Sequence, residues 1–394
     1  VPDLRFVIRM AMRALRAAPL VSLLAILCIG LGIGSFTTVY STAAAFTFHP
    51  LPQLGDPERL LLVADVPANA LRRGQTVAPG TFADLASLPE LSSAAALTNF
   101  VANIIGEDLP ERADGVRVSA EFFRAVGRTP MLGRTFVPDE MVPGADRVVI
   151  LSHGLWQRRF GRDSAVVGRI VRINGDAWTV VGIMPEDFVF PAGTQLWAPL
   201  ALTTAEATDR TNRNLMMMAR LAPGVSVERG QLAVRALGQR LASTWPGRYT
   251  DRVLYAQRAE EVFGEGPRPF MIVLLSAVTF LLLIACANVA NLLLARATAR
   301  QRETGVRIAL GATRARIVGE RLAESLLLAL AGGALGLLVA WWGVHATATT
   351  VPLEVQQYIP GFGAIRLDQR ALVLAAAVSM LSGLLFGIVP ALLG

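Results

Sequence analysis

The chain has 394 residues, 53% of them hydrophobic, with a mean hydropathy of +0.48 and 17% charged residues, against about a quarter charged in an ordinary soluble domain. All 37 basic residues are arginine, which excludes a Walker A lysine, a Schiff-base lysine and a Ser–Lys dyad in this chain. The net charge of +7 gathers beside apolar runs and not in one patch, which argues against nucleic acid as a partner and fits the positive-inside pattern of a membrane protein.

Residues 1–19 form a cytoplasmic, amphipathic N-terminal segment with Arg5, Arg9, Arg13 and Arg16 against Asp3. Residues 20–46 follow as the first apolar run, long enough to cross a bilayer, which takes about 20 apolar residues. A cleaved signal peptide with Ala43, Ala44 and Ala45 at its cleavage site is the alternative. Leu20 to Tyr40 carries no charge and exceeds a signal h-region of roughly 7–15 residues, so a retained anchor is expected.

Residues 47–269 hold 24 arginines and 24 acidic residues, a balanced composition that suits an aqueous domain. Their strand-like alternation with helical stretches between predicts an α+β fold, which could divide into two lobes. Ile170–Ile173, Asn174-Gly175 and Trp178–Val181 read as a hairpin, because Asn-Gly supplies the positive φ angles of a two-residue turn. Val148–Leu151 reads as a buried strand, followed by a helix over Gly154–Phe160. Leu215–Leu221 reads as another strand. Ser226–Ala242 carries helical periodicity through Val227, Leu232, Val234, Leu237 and Leu241.

No catalytic constellation emerges in this domain. His49, His153 and His345 are isolated from one another. The carboxylate neighbours Asp139/Glu140, Asp108/Glu111 and Glu186/Asp187 read as solvated turns. Ser152 lacks the glycine two positions earlier that a nucleophile elbow needs. Cys28 and Cys286 fall in apolar runs, where neither reads as a metal ligand or half of a disulfide.

Three further spans are predicted, at 270–295, 322–346 and 371–394. Between them lie an arginine-rich loop at 296–321 and a charge-balanced loop at 347–370. The arginine distribution places both termini and the 296–321 loop in the cytoplasm, and 47–269 and 347–370 outside. Glu324 is the one charge within a span, close to its end. Trp341 and Trp342 fit an interfacial belt. Gly30 and Gly34, Gly332 and Gly336, and Gly383 and Gly387 are each four apart, a spacing that lets helix backbones approach. Asn288 and Asn291 are expected to hydrogen-bond to a neighbouring helix. The loop ARATARQRETGVRIALGATRARIVGER reads equally as an interfacial helix that docks a partner and as a plain positive-inside loop.

At this loop the sequence resembles the FtsX-like permease family, which includes the macrolide-exporter (MacB-type) permeases. The likeness is carried by Arg302-Glu303 through Ala309-Leu310-Gly311-Ala312, by Ala285-Cys286-Ala287-Asn288-Val289-Ala290-Asn291 before it and by Glu320-Arg321-Leu322 after it. In the 47–269 segment it is carried by Val118–Phe123, Leu132–Phe136, Val148–Phe160 and Val181–Pro185. It covers nearly the whole chain and is similar to the first four-span unit of the branch in which that unit occurs twice.

The resemblance implies a membrane α-helical fold of four transmembrane helices, with a large α+β periplasmic core domain inserted between helices 1 and 2. It implies a multi-pass protein of the bacterial inner membrane. The implied role is the permease subunit of an ABC-type efflux or mechanotransmission complex, not an enzyme, holding no cofactor because ATP is bound by a separate cytoplasmic ABC ATPase. A coupling role toward that ATPase carries over to Arg302, Glu303, Arg307, Ala309, Leu310 and Gly311. The implied partners are the ATPase, the lipid bilayer and a second permease unit, as homodimer, heterodimer or fused second half. A periplasmic adaptor or outer-membrane channel belongs to the exporter branch. The alternative within the family is a non-transport scaffold of the FtsX type that regulates cell-wall hydrolases or lipoprotein release.

Overall fold

A computed structural model describes residues 18–48, 51–69, 76–105, 110–299, 306, 309, 314–356, 359, 361–367 and 369–393. The chain divides into two units: Val1–Thr47 with Pro267–Pro352 and Ala364–Gly394, and Phe48–Gly266 with Leu353–Gly363. The described chain opens with helix α1 (Pro19–Phe48), 30 residues without a charge. At 1.5 Å per residue it is about 45 Å long, more than a hydrocarbon core of about 30 Å. It runs unbroken through Ala43–Ala45, and Ala43 and Ala45 are buried.

The second unit is α+β. In chain order it holds β1 (Leu60–Pro67), β2 (Thr76–Val77), α2 (Pro79–Ala86), β3 (Leu91–Ile105), β4 (Glu111–Val118), α3 (Phe122–Val126), β5 (Leu132–Gly133), β6 (Val148–Leu151) and α4 (His153–Phe160). It continues through β7 (Ile170–Ile173), β8 (Asp176–Ile183), β9 (Leu196–Pro199), α5 (Thr204–Thr208), β10 (Leu215–Leu221), α6 (Val227–Thr244), β11 (Arg252–Arg258) and α7 (Ala259–Glu265).

The strands share one mixed sheet in the order β11-β1-β10-β3-β4-β9-β6-β8-β5, with β2 on β10 and β7 joining β3 to β8. That last junction closes a ring of six strands: β3, β4, β9, β6, β8 and β7. Alternate residues of all six meet in one cluster, including Ala102, Ile104, Ala113, Val149, Leu151, Ile173, Trp178, Val180, Leu196 and Ala198. This is the period-2 alternation that puts every second side chain inside a closed sheet.

The 15-residue strand β3 serves two regions. Its Leu91–Leu97 half pairs with β10, and its Leu97–Ile104 half pairs with β4. The first half, with β1, β10 and β11, lies over α2 and α6 in a separate core that includes Leu61, Val63, Leu85, Met217, Val234 and Leu241. A third core, including Leu62, Ala95, Val116, Phe123, Trp197 and Met218, draws on both regions, so the two lobes anticipated from the alternation share one uninterrupted sheet.

The hairpin stands where Asn-Gly predicts it. Asn174 and Gly175 take φ of 55° and 89°, and Ile173 pairs with Asp176. Helix α6 begins at the Ser226 N-cap, whose hydroxyl accepts from the Arg229 N–H. Its buried line is Gly230, Val234, Leu237 and Leu241. Leu232, counted in the apolar stripe from sequence, is 64% exposed, because a 3.6-residue period starting from Val227 passes to either side of it.

The other unit is helical: α1, α8 (Arg268–Ala299), α9 (Arg314–Thr350) and α10 (Gln369–Leu393). Among the described residues three stretches are long and apolar enough to cross a membrane: Pro19–Phe48, Arg268–Arg296 and Leu322–Thr350. A shorter apolar stretch, Gln369–Ser382, lies in α10. Ala25, Ile29 and Ile33 of α1, Leu282 and Val289 of α8, Leu328 of α9 and Ala375 of α10 form the core of this unit.

Candidate functional site

Helix α8 carries the chain to Ala299, and α9 takes it up at Arg314. Half of the loop expected at 296–321 is thus helix continuous with the flanking spans. Of the residues given a coupling role, Arg302, Glu303, Arg307, Leu310 and Gly311 lie outside the described residues. Ala309 is helical and exposed, as is Val306.

Near the described end of α8 and well inside α9, Arg296 Nη1 stands 2.6 Å from Glu324 Oε1, with side chains 7% and 8% exposed. Arg296 closes one of the apolar stretches, and Glu324 lies just inside the start of another, Leu322–Thr350. A lone charge buried there would cost several kcal/mol, so the pairing explains how Glu324 is tolerated inside α9. Sequence reading noted Glu324 as an exception but did not find its partner, because i and i+28 have no local relation. The available signal was that a buried carboxylate near a span end needs a cation at the same depth.

The glycines of α1 and α9 interleave. A Cβ placed on Gly30 would lie 2.7 Å from Leu335 Cδ2, and one on Gly34 would lie 2.6 Å from Val339 Cβ and 2.9 Å from the Gly336 carbonyl. In return, Gly332 faces Ile29 at 2.6 Å and Gly336 faces Ile33 at 3.0 Å and the Gly30 carbonyl at 3.2 Å. Each helix seats its bulky side chains on the other's glycines, the close approach that small-xxx-small spacing permits. Gly383 and Gly387 lie on α10, with their surroundings outside the described residues.

Asn288 and Asn291 are exposed on α8, whereas the inward line of that helix runs through Leu282 and Val289. Both amides lie off that inward line, on either side of Val289.

In the α+β unit several of the polar side chains are committed to structure. Ser152 caps α4 by accepting from the Leu155 N–H at 3.2 Å. His153 packs edge-on against Trp156, and His345 of the helical unit stacks on Trp341; His49 lies outside the described residues. Asp65, its side chain 1% exposed, bridges Arg213 at 2.5 Å and Arg252 at 2.6 Å and so ties β1 to the starts of β10 and β11.

Glu140, read from sequence as a solvated turn residue, is buried. Its carboxylate accepts from both Arg134 nitrogens at 3.0 and 2.6 Å and from the Val137 N–H at 2.9 Å. The turn folds it inward because Arg134 is there to neutralise it. Burial pushes the Glu140 carboxyl up, and the hydrogen bonds and charge of Arg134 with the Val137 N–H outweigh that, leaving it below its ordinary value. Asp146 follows the same balance between burial and Arg117. Asp187 pairs with Arg128, and Glu111 with Arg158, both at 2.7 Å or less; Asp108 lies outside the described residues. Among the described residues no group of three His, Cys, Asp or Glu side chains is arranged to hold a metal. Two grooves open on this unit. One of about 350 Å³ follows the edge strand β11 past Val253, Tyr255 and Arg235. One of about 470 Å³ lies among Ile105, Phe160, Ile170 and Arg172.

Two family models match this arrangement in order along the chain. The MacB-like periplasmic core domain matches residues 22–237, more than half of the chain, and the FtsX-like permease C-terminal model matches residues 275–393. The chain belongs to the MacB-type, FtsX-like permease family. The permease is 25% identical over 398 residues to a macrolide export ATP-binding/permease protein MacB of Chromobacterium violaceum, covering 97% of this chain and 58% of that one. It is 27% identical over 292 residues to the protein of the same description in Escherichia coli K12, covering 72% of this chain and 42% of that one. The permease thus spans about half the length of these curated relatives. The crystal structure of the periplasmic region of MacB from Actinobacillus actinomycetemcomitans aligns with a TM-score of 0.41 at 14% identity, covering 55% of this chain and 94% of that one.

Proposed function

We propose that this permease is the membrane subunit of an ABC-type complex, coupling ATP hydrolysis by a separate cytoplasmic ATPase to movement of the α+β unit for efflux or mechanotransmission. The observation that carries this reading is one chain that joins an α+β unit to a tightly packed helical unit while containing no lysine with which to build a nucleotide-binding loop. The arginine distribution supports four spans, with both termini and the 296–321 segment cytoplasmic and residues 47–269 periplasmic. That segment is within reach of the ATPase, with Arg302, Glu303, Arg307, Ala309, Leu310 and Gly311 as the contact set.

The outward amides of Asn288 and Asn291 on α8 support a second permease unit as the partner in the membrane. An amide facing lipid lacks hydrogen-bond partners, and another helix supplies them. A periplasmic adaptor or outer-membrane channel would complete an exporter.

Co-purification from the native membrane in the presence of ATP tests the reading. A cytoplasmic ABC ATPase should accompany the chain, and its turnover should rise in the complex. Glu303→Ala combined with Leu310→Ala should lower that stimulation by about tenfold, a coupling energy of ~1.4 kcal/mol. Unchanged stimulation would reject the contact set. Recovery of a cell-wall hydrolase or a lipoprotein with the chain, in place of a transported solute, would favour the FtsX-type scaffold role.

A further inference from the structure

The contacts that join the helices of the helical unit are mostly apolar or made by small groups. Glycines nest against Leu335 and Val339. Ser379 Oγ donates to the Ala329 carbonyl at 2.7 Å, and Cys286 Sγ lies 3.6 Å from Ser382 Oγ. The Arg296–Glu324 pair differs in kind. It is ionic and buried, and it joins the end of one spanning stretch to the start of another. Well-packed apolar residues in place of a buried ion pair usually hold a fold equally well, and the best-attested use of such a pair is to fix register. Stability alone therefore does not account for these two charges.

Their place along the helices supplies a reason. Helix α9 begins at Arg314, so about 15 Å of helix precedes Glu324. On the other side, α8 is described from Arg296 to Ala299 beyond the pair. A force applied to the connecting segment reaches α9 through that lever. With nothing to tie the lever's base, the force would be absorbed by sliding of α9 along α8 or by unwinding of the first turns of α9.

We propose that Arg296 and Glu324 are positioning residues that clamp α8 and α9 in register, so that force on the connecting segment moves both helices together. The coupling half of this statement rests on the segment receiving the ATPase; the clamp itself does not.

The test uses the full chain in lipid nanodiscs, with and without the ATPase that co-purifies with it. Four variants are compared: Arg296→Gln, Glu324→Gln, the apolar pair Arg296→Met with Glu324→Leu, and the exchanged pair Arg296→Glu with Glu324→Arg. The first readout is tryptic cleavage after Arg314 and Arg316, which requires the start of α9 to open. The second is stimulation of ATP turnover, and melting temperature is followed throughout.

The apolar pair should keep its melting temperature, show about tenfold faster cleavage and lose about tenfold in stimulation. The exchanged pair should bring both readouts back to within about twofold of native. The single variants should follow the apolar pair where they fold, and the two double variants decide the matter if they do not. An apolar pair that cleaves and stimulates like the native chain overturns the clamp, as does an exchanged pair that melts normally yet restores neither readout. Cleavage that responds as expected, in a chain whose native form stimulates no ATPase, supports the clamp and overturns the coupling reading instead.

Discussion

Glu140 and Asp146 carry a pH dependence that can be signed from their surroundings. Both carboxyls lie below their ordinary values in the folded chain, held there by Arg134 and Arg117 against the opposing effect of burial. A carboxyl with a depressed folded value stabilises fully above its unfolded value and loses that contribution as pH falls through the folded one. The melting temperature of the full chain in detergent should therefore hold steady from about pH 7 to 5 and fall below about pH 4.5. Glu140→Gln should lower it at neutral pH and soften the acid fall, as thermal unfolding across this range would read. A fall of undiminished steepness in Glu140→Gln would remove Glu140 from the account. Nothing in Pro138-Asp139-Glu140-Met141 distinguishes this buried carboxylate from its exposed neighbour. The difference is made by Arg134, which the turn brings back over it.

At the scale of elements, α1 and α9 meet along a seam of glycines. Gly30, Gly34, Gly332 and Gly336 each stand where a side chain would strike the opposite helix. Gly34→Val would drive two methyl groups toward Val339 and the Gly336 carbonyl, at a cost of about 1–3 kcal/mol. Gly319 of α9 offers the opposite case, since a Cβ there meets nothing within 4 Å. Gly319→Ala should be neutral or stabilising by up to about 1 kcal/mol through helix propensity. Thermal unfolding in the same micelles should fall for Gly34→Val and hold or rise for Gly319→Ala, and a tolerated Gly34→Val would show that the seam does not set the packing.

The hairpin at Asn174-Gly175 was legible in the sequence, because a two-residue turn is decided by the φ angles its own residues can adopt. The closure of the six-strand ring was not. It depends on Ile104 and Ile105 of β3 pairing with Ile173 and Arg172 of β7, a contact across some seventy residues that no local pattern records. The sharing of β3 among three cores was hidden for the same reason, since its whole length alternates alike.

For the whole molecule, the arginine count makes a claim about sidedness that the helices themselves do not. A cysteine at Val306 and one at Glu228, in a chain whose native Cys28 and Cys286 are half-buried, should react with a membrane-impermeant maleimide from opposite faces of sealed vesicles. Labelling of both from one face would place the α+β unit and the connecting segment together and remove the route by which ATP could act across the bilayer.

Composition and order along the chain determined by themselves that apolar helices flank a charge-balanced α+β domain, because hydropathy, helix period and turn chemistry are properties of adjacent residues. Only the tertiary structure decided that Glu324 has Arg296 as its counter-charge, that Glu140 is buried, that Asn288 and Asn291 face outward, and that one strand belongs to three cores. Each of these is settled by which distant segment arrives beside a residue. Burial and electrostatics take their sign from that neighbour and not from the residue's own type.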